Sequence, residues 1–402
     1  MSIEAAEEIS RGAELTEVPE VSRGFVRQAV RDTLSSRTAR AGLAWLSLLL
    51  VFAVFGPLIA NSHPLLMKCA GSWSSPMLRG LTPSDALVFL AFFASAILAV
   101  GRWFAFPISL AVVVALVLVA AGPAFAWVRP PENQDYSAWR TLAAEGKIES
   151  VLYAPIPYSP SDRLRDQVNA RLLPPSRTHW LGTDGNGADI ASNIIHAARV
   201  ALSVGFMATG ISVVIGVVIG GLMGYYAALP DLLGMRLIEV FEAIPRLFLL
   251  ITITAFVEHR NIYLMMLVIG ITGWTGYARF LRGEFFTLRK LDYVQAGIAA
   301  GLPRRSILFR HMLPNGITPI LVSTTFGVAS AILYEAVLSF LGLGLVDEPS
   351  WGALLNQARA GGLGFIWWIA LFPGLAIFLT VFSYNLIGEA VRDALDPKLQ
   401  KR

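Results

Sequence analysis

The stretch QAGIAAGLPRRSILFRHMLPNG, residues 295–316, decides how the rest of the chain is read. It separates two apolar runs, 262–281 and 316–337, yet it is far longer than a connection between them requires. Asp292 followed three residues later by Gln295 is a capping-box variant, so a helix starts near Tyr293. Ala296, Ala299 and Ala300, with Gly297 and Gly301, make that helix slim, which lets another surface approach its backbone at a cost of up to about 1 kcal/mol per interior glycine. Gly301 can end it, and Pro303 suits the first turn of a second helix, Arg304 to Met312, which Pro314 stops. The second helix mixes Ile307, Leu308 and Met312 with Arg305 and Arg310. The expectation is a short helix–turn–helix across one mouth of a membrane bundle. An interfacial helix resting on anionic lipid would need only arginines and apolar residues. Lipid favours bulky apolar side chains, whereas a protein groove accounts for the slimness of the first helix.

Composition sets the class. The 402 residues are 55% hydrophobic and only 15% charged, where a soluble domain carries about a quarter of its residues charged. Apolar runs recur at the length that crosses a hydrocarbon core of about 30 Å, so the chain reads as a polytopic membrane protein rather than one large soluble core. The single cysteine, Cys69, excludes an intramolecular disulfide and a Cys-rich metal site. A net charge of +4 does not argue for nucleic acid; the basic residues sit in patches beside the apolar runs, where topology accounts for them. The first forty residues hold no apolar segment of leader type, so no cleavable signal is expected.

Along the chain, residues 1–40 form a tail that is acidic and then basic, with Arg23, Arg27, Arg31, Arg37 and Arg40 ahead of the first run. Those arginines hold the N-terminus in the cytoplasm. Residues 41–127 carry a first span and then two runs, 86–101 and 104–127, joined by a turn so tight that they read as a transmembrane hairpin. Residues 128–196, rich in proline, form an irregular external segment. Residues 197–391 hold the remaining runs, the 246–257 run beginning earlier, near Ile238, and 392–402 is a basic cytoplasmic tail. The count is about eight spans with both termini inside, and it places 292–314 in the cytoplasm, as its own arginines independently require.

That loop resembles the cytoplasmic coupling loop of ATP-binding-cassette (ABC) import permeases, Glu-Ala-Ala, three residues, Gly, nine residues, Ile-x-Leu-Pro. Here the series runs Gln295-Ala296-Gly297, Gly301, then His311-Met312-Leu313-Pro314, with Gln295, Gly297 and His311 departing from it. HWLGTDGNGADIASNIIHAARVALSVGF (179–206), YEAVLSFLGLGL (334–345), PSWG (349–352) and GEAVRDALDP (388–397) are similar to the second membrane subunit of the dipeptide/oligopeptide permease family. LIANSHPLLMKCAGSW and VLYAPIPYSP look most like the branch importing oligopeptides and microcin-C-like peptides. The resemblance implies an all-α polytopic membrane protein with the ABC importer type I transmembrane domain, to which the hairpin 86–127 is an extra. It implies a non-enzymatic permease subunit in a bacterial inner membrane. The implied partners are a homologous second permease, two ABC ATPases that bind ATP-Mg, and a periplasmic peptide-binding protein, with no cofactor in this chain. The ATPase-coupling residues it implies are Asp292, Gln295, Ala296, Gly297, Gly301, Arg305, Leu313 and Pro314. The rival readings are an ion-coupled secondary transporter, an ABC permease for another solute such as nickel or glycosides, and a membrane-embedded enzyme.

Other motifs weigh less. DGNGAD (184–189) resembles the start of a calcium loop, but Ile195 stands where the bidentate acid belongs, so Asp184 and Asp189 read as turn and helix caps. Gly146-Lys147 lacks the surroundings of a phosphate loop, and the five histidines have no zinc spacing. Glu239, Glu242 and Arg246 flank Pro245 at an expected cytoplasmic boundary, where they serve either as a gate or as water-satisfied boundary charges. Glu335 lies near the outer end of its span, as a translocation-path residue or a packing hydrogen bond. Gly342 and Gly344 suggest a re-entrant turn at the outer mouth.

Overall fold

The computed structural model describes residues 23–69, 71–101, 106–128, 136–164, 166, 170–258, 260–345, 348–360 and 365–395. The acidic stretch 1–22, Arg102 and Trp103 of the hairpin turn, Pro130 and Pro131, His259 and the tail 396–402 lie outside the described residues. Helices dominate. Helix α1 (Arg23–Ser35) leads into α2 (Arg37–Ile59), and the hairpin is α3 (Pro83–Gly101) and α4 (Phe106–Trp127). A short α5 (Ala138–Ala144) precedes the long α6 (Ile190–Tyr226), α7 (Ala228–Ala243) and α8 (Arg246–Ala255). Then come α9 (Ile262–Thr272), α10 (Thr275–Leu288), α11 (Asp292–Ala299), α12 (Thr318–Phe340), α13 (Trp351–Ala360) and α14 (Trp367–Leu395).

Five helices are long and apolar enough to cross a membrane alone: α2, α4, α6, α12 and α14. Helices α9 and α10, bent by 41° at their break, make a sixth if taken together, and α3 and α8 are shorter apolar helices. All eight apolar runs of the sequence are therefore helical, though two fall short of a full crossing on their own.

Helix α6 is the axis of the bundle and packs against α2, α9, α10 and α12. Its stripe Gly216, Gly220, Gly224 lies against α10: a Cβ at Gly216 would sit 2.5 Å from the Tyr277 Cβ, one at Gly224 2.5 Å from the Phe285 Cβ, and one at Gly220 would overlap the Ala278 backbone. Small residues one turn apart are what let two helices approach at backbone distance when lipid supplies no hydrophobic drive. The hairpin differs. Its helices pack mainly on each other and on α2, with Phe55 edge-on to Phe92 at 5.3 Å, and only 6% of the apolar window of α4 is buried.

At one end of α6 the segments 61–84 and 136–189 form a single cap. Strands β1 (Leu66–Cys69), β2 (Ser72–Ser74) and β3 (Ser150–Leu152) make one antiparallel sheet in the order β2-β1-β3, and Ala60 bridges Ile156. Because β1 and β3 flank the hairpin in sequence, α3 must leave this end and α4 must return to it. The Asp85 carboxylate, buried at the start of α3, receives Arg199 Nη1 of α6 at 2.5 Å, while Arg199 Nε donates to the Ala53 carbonyl at 2.8 Å. That pair fixes the hairpin to the axis. Within 128–196 only Ser150–Leu152 joins the sheet, most of the other described residues being turns and irregular backbone, and α6 begins at Ile190, inside that range.

Candidate functional site

The helix pair 292–316 lies at the opposite end of α6. Its first helix starts where the sequence places it, by a different device. Leu291 is the N-cap and makes no side-chain cap bond, and Gln295 Nε2 donates to the Arg289 carbonyl at 2.7 Å instead of closing a capping box. The helix ends as Ala300 N donates to the Ala296 carbonyl and Leu302 N to that of Gly297. Gly301 turns the chain at φ +75°, a region that L side chains adopt with strain. Pro303 caps the second helix, whose residues Ile307–Met312 form a π turn, with Leu313 N bonded to the Leu308 carbonyl. Here the expectation fails: Pro314 does not stop the helix. It sits in the first turn of a further helical segment that runs almost directly into α12. Proline at 314 has no N–H for the turn before it, and widening that turn accommodates the loss.

One side of the pair is wedged into the bundle. Val294, Ile307 and Met312 are buried in a cluster with Tyr277, Leu281 and Phe285 of α10 and Ile320 of α12. Each such side chain is worth about 1.5–3 kcal/mol when fully buried. Asn315 Nδ2 donates to the His311 carbonyl at 2.8 Å and to the Tyr293 hydroxyl at 3.3 Å, which ties the two helices together. The other side is open. Asp292, Gln295, Ala296, Ala299, Ala300, Gly301, Arg305 and Pro314 are exposed, Gly297 and Leu313 are half-buried, and nothing lies within 4 Å of where a Gly301 Cβ would stand. Around the alanines, Ile298, Leu302 and Phe309 are exposed large hydrophobics. The pair is thus rigidly joined to α10 and α12 on one side and presents a slim, apolar and basic surface on the other.

The remaining candidates lie apart from it. Glu242 is paired with Arg279 of α10, and Asp231 with Arg282, so the charges of α7 bind it to α10. Pro245 separates α7 from α8, and Arg246, next to it, reaches Ile269 of α9 and Tyr334 of α12. Tyr334 stands 16 residues beyond Thr318 in sequence, about 24 Å along the helix at 1.5 Å per residue. Arg246 therefore meets α12 well along its length from the loop end, away from the boundary that the charges flanking Pro245 suggested, while Pro245 itself is exposed. Glu335 is buried, and its Oε1 accepts from the Ser339 and Ser350 hydroxyls, each at 2.7 Å. It holds the turn after α12, where Gly342 has φ +79°, against the start of α13.

Asp184 and Asp189 act as caps. Asp184 Oδ1 accepts the backbone N–H groups of Asn186 and Ala188, each at 2.8 Å, and Asp189 Oδ1 accepts that of Ser192 at the start of α6. Burial pushes the Asp184 pKa up against the opposing effect of those N–H donors. Among the described residues no cluster of three potential metal ligands occurs. Sequence reasoning missed the depth of Arg246 and the buried His179–Asp189 pair at 2.9 Å; HWLGTDGNGAD placed both partners of the latter ten residues apart without indicating contact.

Residues 216–401 match the family model of the binding-protein-dependent transport system inner membrane component. A dipeptide transport system permease protein DppC of Bacillus subtilis is 34% identical over 284 residues, covering 68% of this chain and 88% of the relative. The inner membrane ABC transporter permease protein YejE of Escherichia coli is 34% identical over 359 residues, covering 88% and 92%. An oligopeptide transport system permease protein OppC of Haemophilus influenzae is 39% identical over 222 residues, covering 55% and 70%. The chain is a multi-pass membrane protein and belongs to the dipeptide and oligopeptide branch of the binding-protein-dependent ABC transport permeases.

Proposed function

We propose that this chain is one of two membrane subunits of an importer that moves peptides inward across a bacterial inner membrane, driven by ATP hydrolysis in separate ATPase subunits. The observation that carries the reading is the two-sided build of 292–316, wedged against α10 and α12 and open over Ala296, Ala299 and Gly301. An ATPase groove receives the slim side, with Asp292, Gln295 and Arg305 as its polar contacts and Gly297 allowing close approach. Leu313 and Pro314 pass the motion to α12. Closure of the ATPase dimer shifts the pair as a unit and tilts α10 and α12, provided that the two ATPase states bind the loop differently. ATP-Mg belongs to those subunits and not to this chain.

In this reading the loop end and both termini are cytoplasmic, the cap formed by 61–84 and 136–189 is periplasmic and faces the peptide-binding protein, and 197–391 is the permease core. Glu242 and the Pro245 break are the moving parts of the path, and Glu335 steadies its outer turn. Peptide as the cargo rests on the names of the relatives. The test is uptake of a labelled tripeptide by proteoliposomes holding the purified complex. Uptake that requires ATP and survives collapse of ion gradients supports the reading; uptake driven by a gradient without ATP makes the chain a secondary transporter.

A further inference from the structure

Two helix breaks meet inside the bundle, one of them in the bent span α9–α10. Helix α7 breaks at Ile244–Pro245 before α8, and α9 breaks at Gly273–Trp274 before α10. The breaks touch: a Cβ on Gly273 would overlap the guanidinium of Arg246. Interrupted backbone at membrane depth persists only where protein or a water-filled cavity satisfies it. The freed carbonyls of α9 are satisfied locally. Ser212 Oγ donates to Gly270 O at 2.7 Å, and Thr272 Oγ1 and Arg246 Nη2 both donate to Ile269 O, at 3.1 and 2.9 Å.

Arg246 exceeds what that capping needs. Serine and threonine cap the neighbouring carbonyls, whereas arginine brings a charge that proteins do not neutralise by deprotonation. A helix C-terminus offsets only about half a charge. The guanidinium lies 4.6 Å from the Tyr334 ring centroid, and its Nε is buried without a hydrogen-bond partner. Among the described residues its side chain enters no ion pair; Glu242 is taken by Arg279, and Glu335, next to Tyr334, is taken by Ser339 and Ser350. The residue is mostly buried but lies between exposed Ile244 and Phe248, and the uncapped N-terminus of α8 adds positive potential at the same place. A mostly buried guanidinium with a carbonyl and an aromatic face for partners, a free Nε and no counter-ion in this chain can still take a carboxylate.

We propose that Arg246 is a carboxylate-binding position in the translocation path, engaging the C-terminal carboxylate of a peptide in transit. This rests on the peptide-import reading. The alternative source of the carboxylate is an acidic side chain of the second permease subunit. The experiment compares Arg246→Gln and Arg246→Lys complexes with wild type in proteoliposomes, using one tripeptide with a free and one with an amidated C-terminus. For each peptide the variant-to-wild-type ratio is taken, so that any preference of the binding protein cancels. Arg246→Gln is expected to lower uptake of the free acid about tenfold and leave the amide within twofold, with Arg246→Lys intermediate. Equal losses for both peptides, or loss of assembly of the two permeases on a gel-filtration column, would assign Arg246 to the partner's acid or to packing and overturn the proposal. So would unchanged uptake of both. A wild-type complex that carries neither peptide is a different outcome, and it refutes the peptide-import reading itself.

Discussion

The cap at one end of α6 and the helix pair at the other differ in how far their charges are paired within the chain. In the cap, Arg140 forks onto Asp162 and Asp166, at 2.7 Å each, and Ser62 Oγ donates to Asp162 at 2.6 Å. Those hydrogen bonds raise the Arg140 pKa and lower that of Asp166. His63 accepts from Trp139 Nε1 at 2.9 Å, and Lys68 pairs with Glu149. In the loop pair, Arg304, Arg305 and Arg310 are exposed beside exposed Ile298, Leu302 and Phe309. These cap charges are matched within the chain, whereas among the described residues none of the loop's three exposed arginines enters an ion pair. A surface that combines rigid support with unmatched apolar and basic groups is built to be covered.

The largest effect is expected at α6, the rod joining the two ends. Gly220→Leu puts a side chain into the Ala278 backbone, and overpacking against backbone costs at least about 1–3 kcal/mol. The expected outcome is little folded protein after membrane extraction, measured by gel-filtration yield. Val119→Ala on the hairpin, 76% exposed, should leave that yield unchanged. Equal losses would mean that the hairpin is as tightly packed as the axis.

The next effect confines damage to the cap end. Arg199→Met leaves Asp85 buried without its cation, a change worth about 3–5 kcal/mol when a buried pair loses one member. The hairpin should loosen from α2, so a disulfide between Phe55→Cys and Phe92→Cys should form less completely. Association with the ATPase should not change. Weaker association would show that the two ends are not independent.

These contrasts also locate what the sequence could and could not convey. The spans and the loop pair were legible because their signals are local: apolar runs, a cluster of alanines and glycines, and Pro303. The sheet was not, because Leu66 pairs with Leu152 across the intervening helices α3, α4 and α5, and strands of three or four residues carry no alternation to read. Arg246 was misplaced because Glu239, Glu242 and Arg246 together look like a membrane boundary. In the folded chain Glu242 is paired by Arg279 and Arg246 is consumed partly by α9, neither of which a linear reading reveals. Gln295 was given the right helix and the wrong partner.

A smaller effect sharpens the loop end alone. Gly301→Val forces a β-branched residue to φ +75° at about 1–2 kcal/mol, with no clash because the space there is open. Insertion and extraction yield should be normal and peptide uptake strongly reduced. Uptake at the wild-type rate would remove Gly301 from the coupling surface.

The smallest expected effect on stability belongs to Ala296→Trp, since Ala296 is exposed, and it bears most directly on what covers the loop. The measurement is peptide uptake per ATP hydrolysed in the reconstituted complex, compared with the double substitution Arg304→Gln and Arg305→Gln. If an ATPase groove grips the slim helix, tryptophan blocks close approach and uncouples hydrolysis from uptake, while the glutamines act mildly. If the loop rests on anionic lipid, each arginine supplies roughly 1 kcal/mol and tryptophan suits the interface. Ala296→Trp is expected to lose coupling and the double glutamine variant to keep most of it; the reverse ranking would mean that the loop rests on lipid and no ATPase grips it.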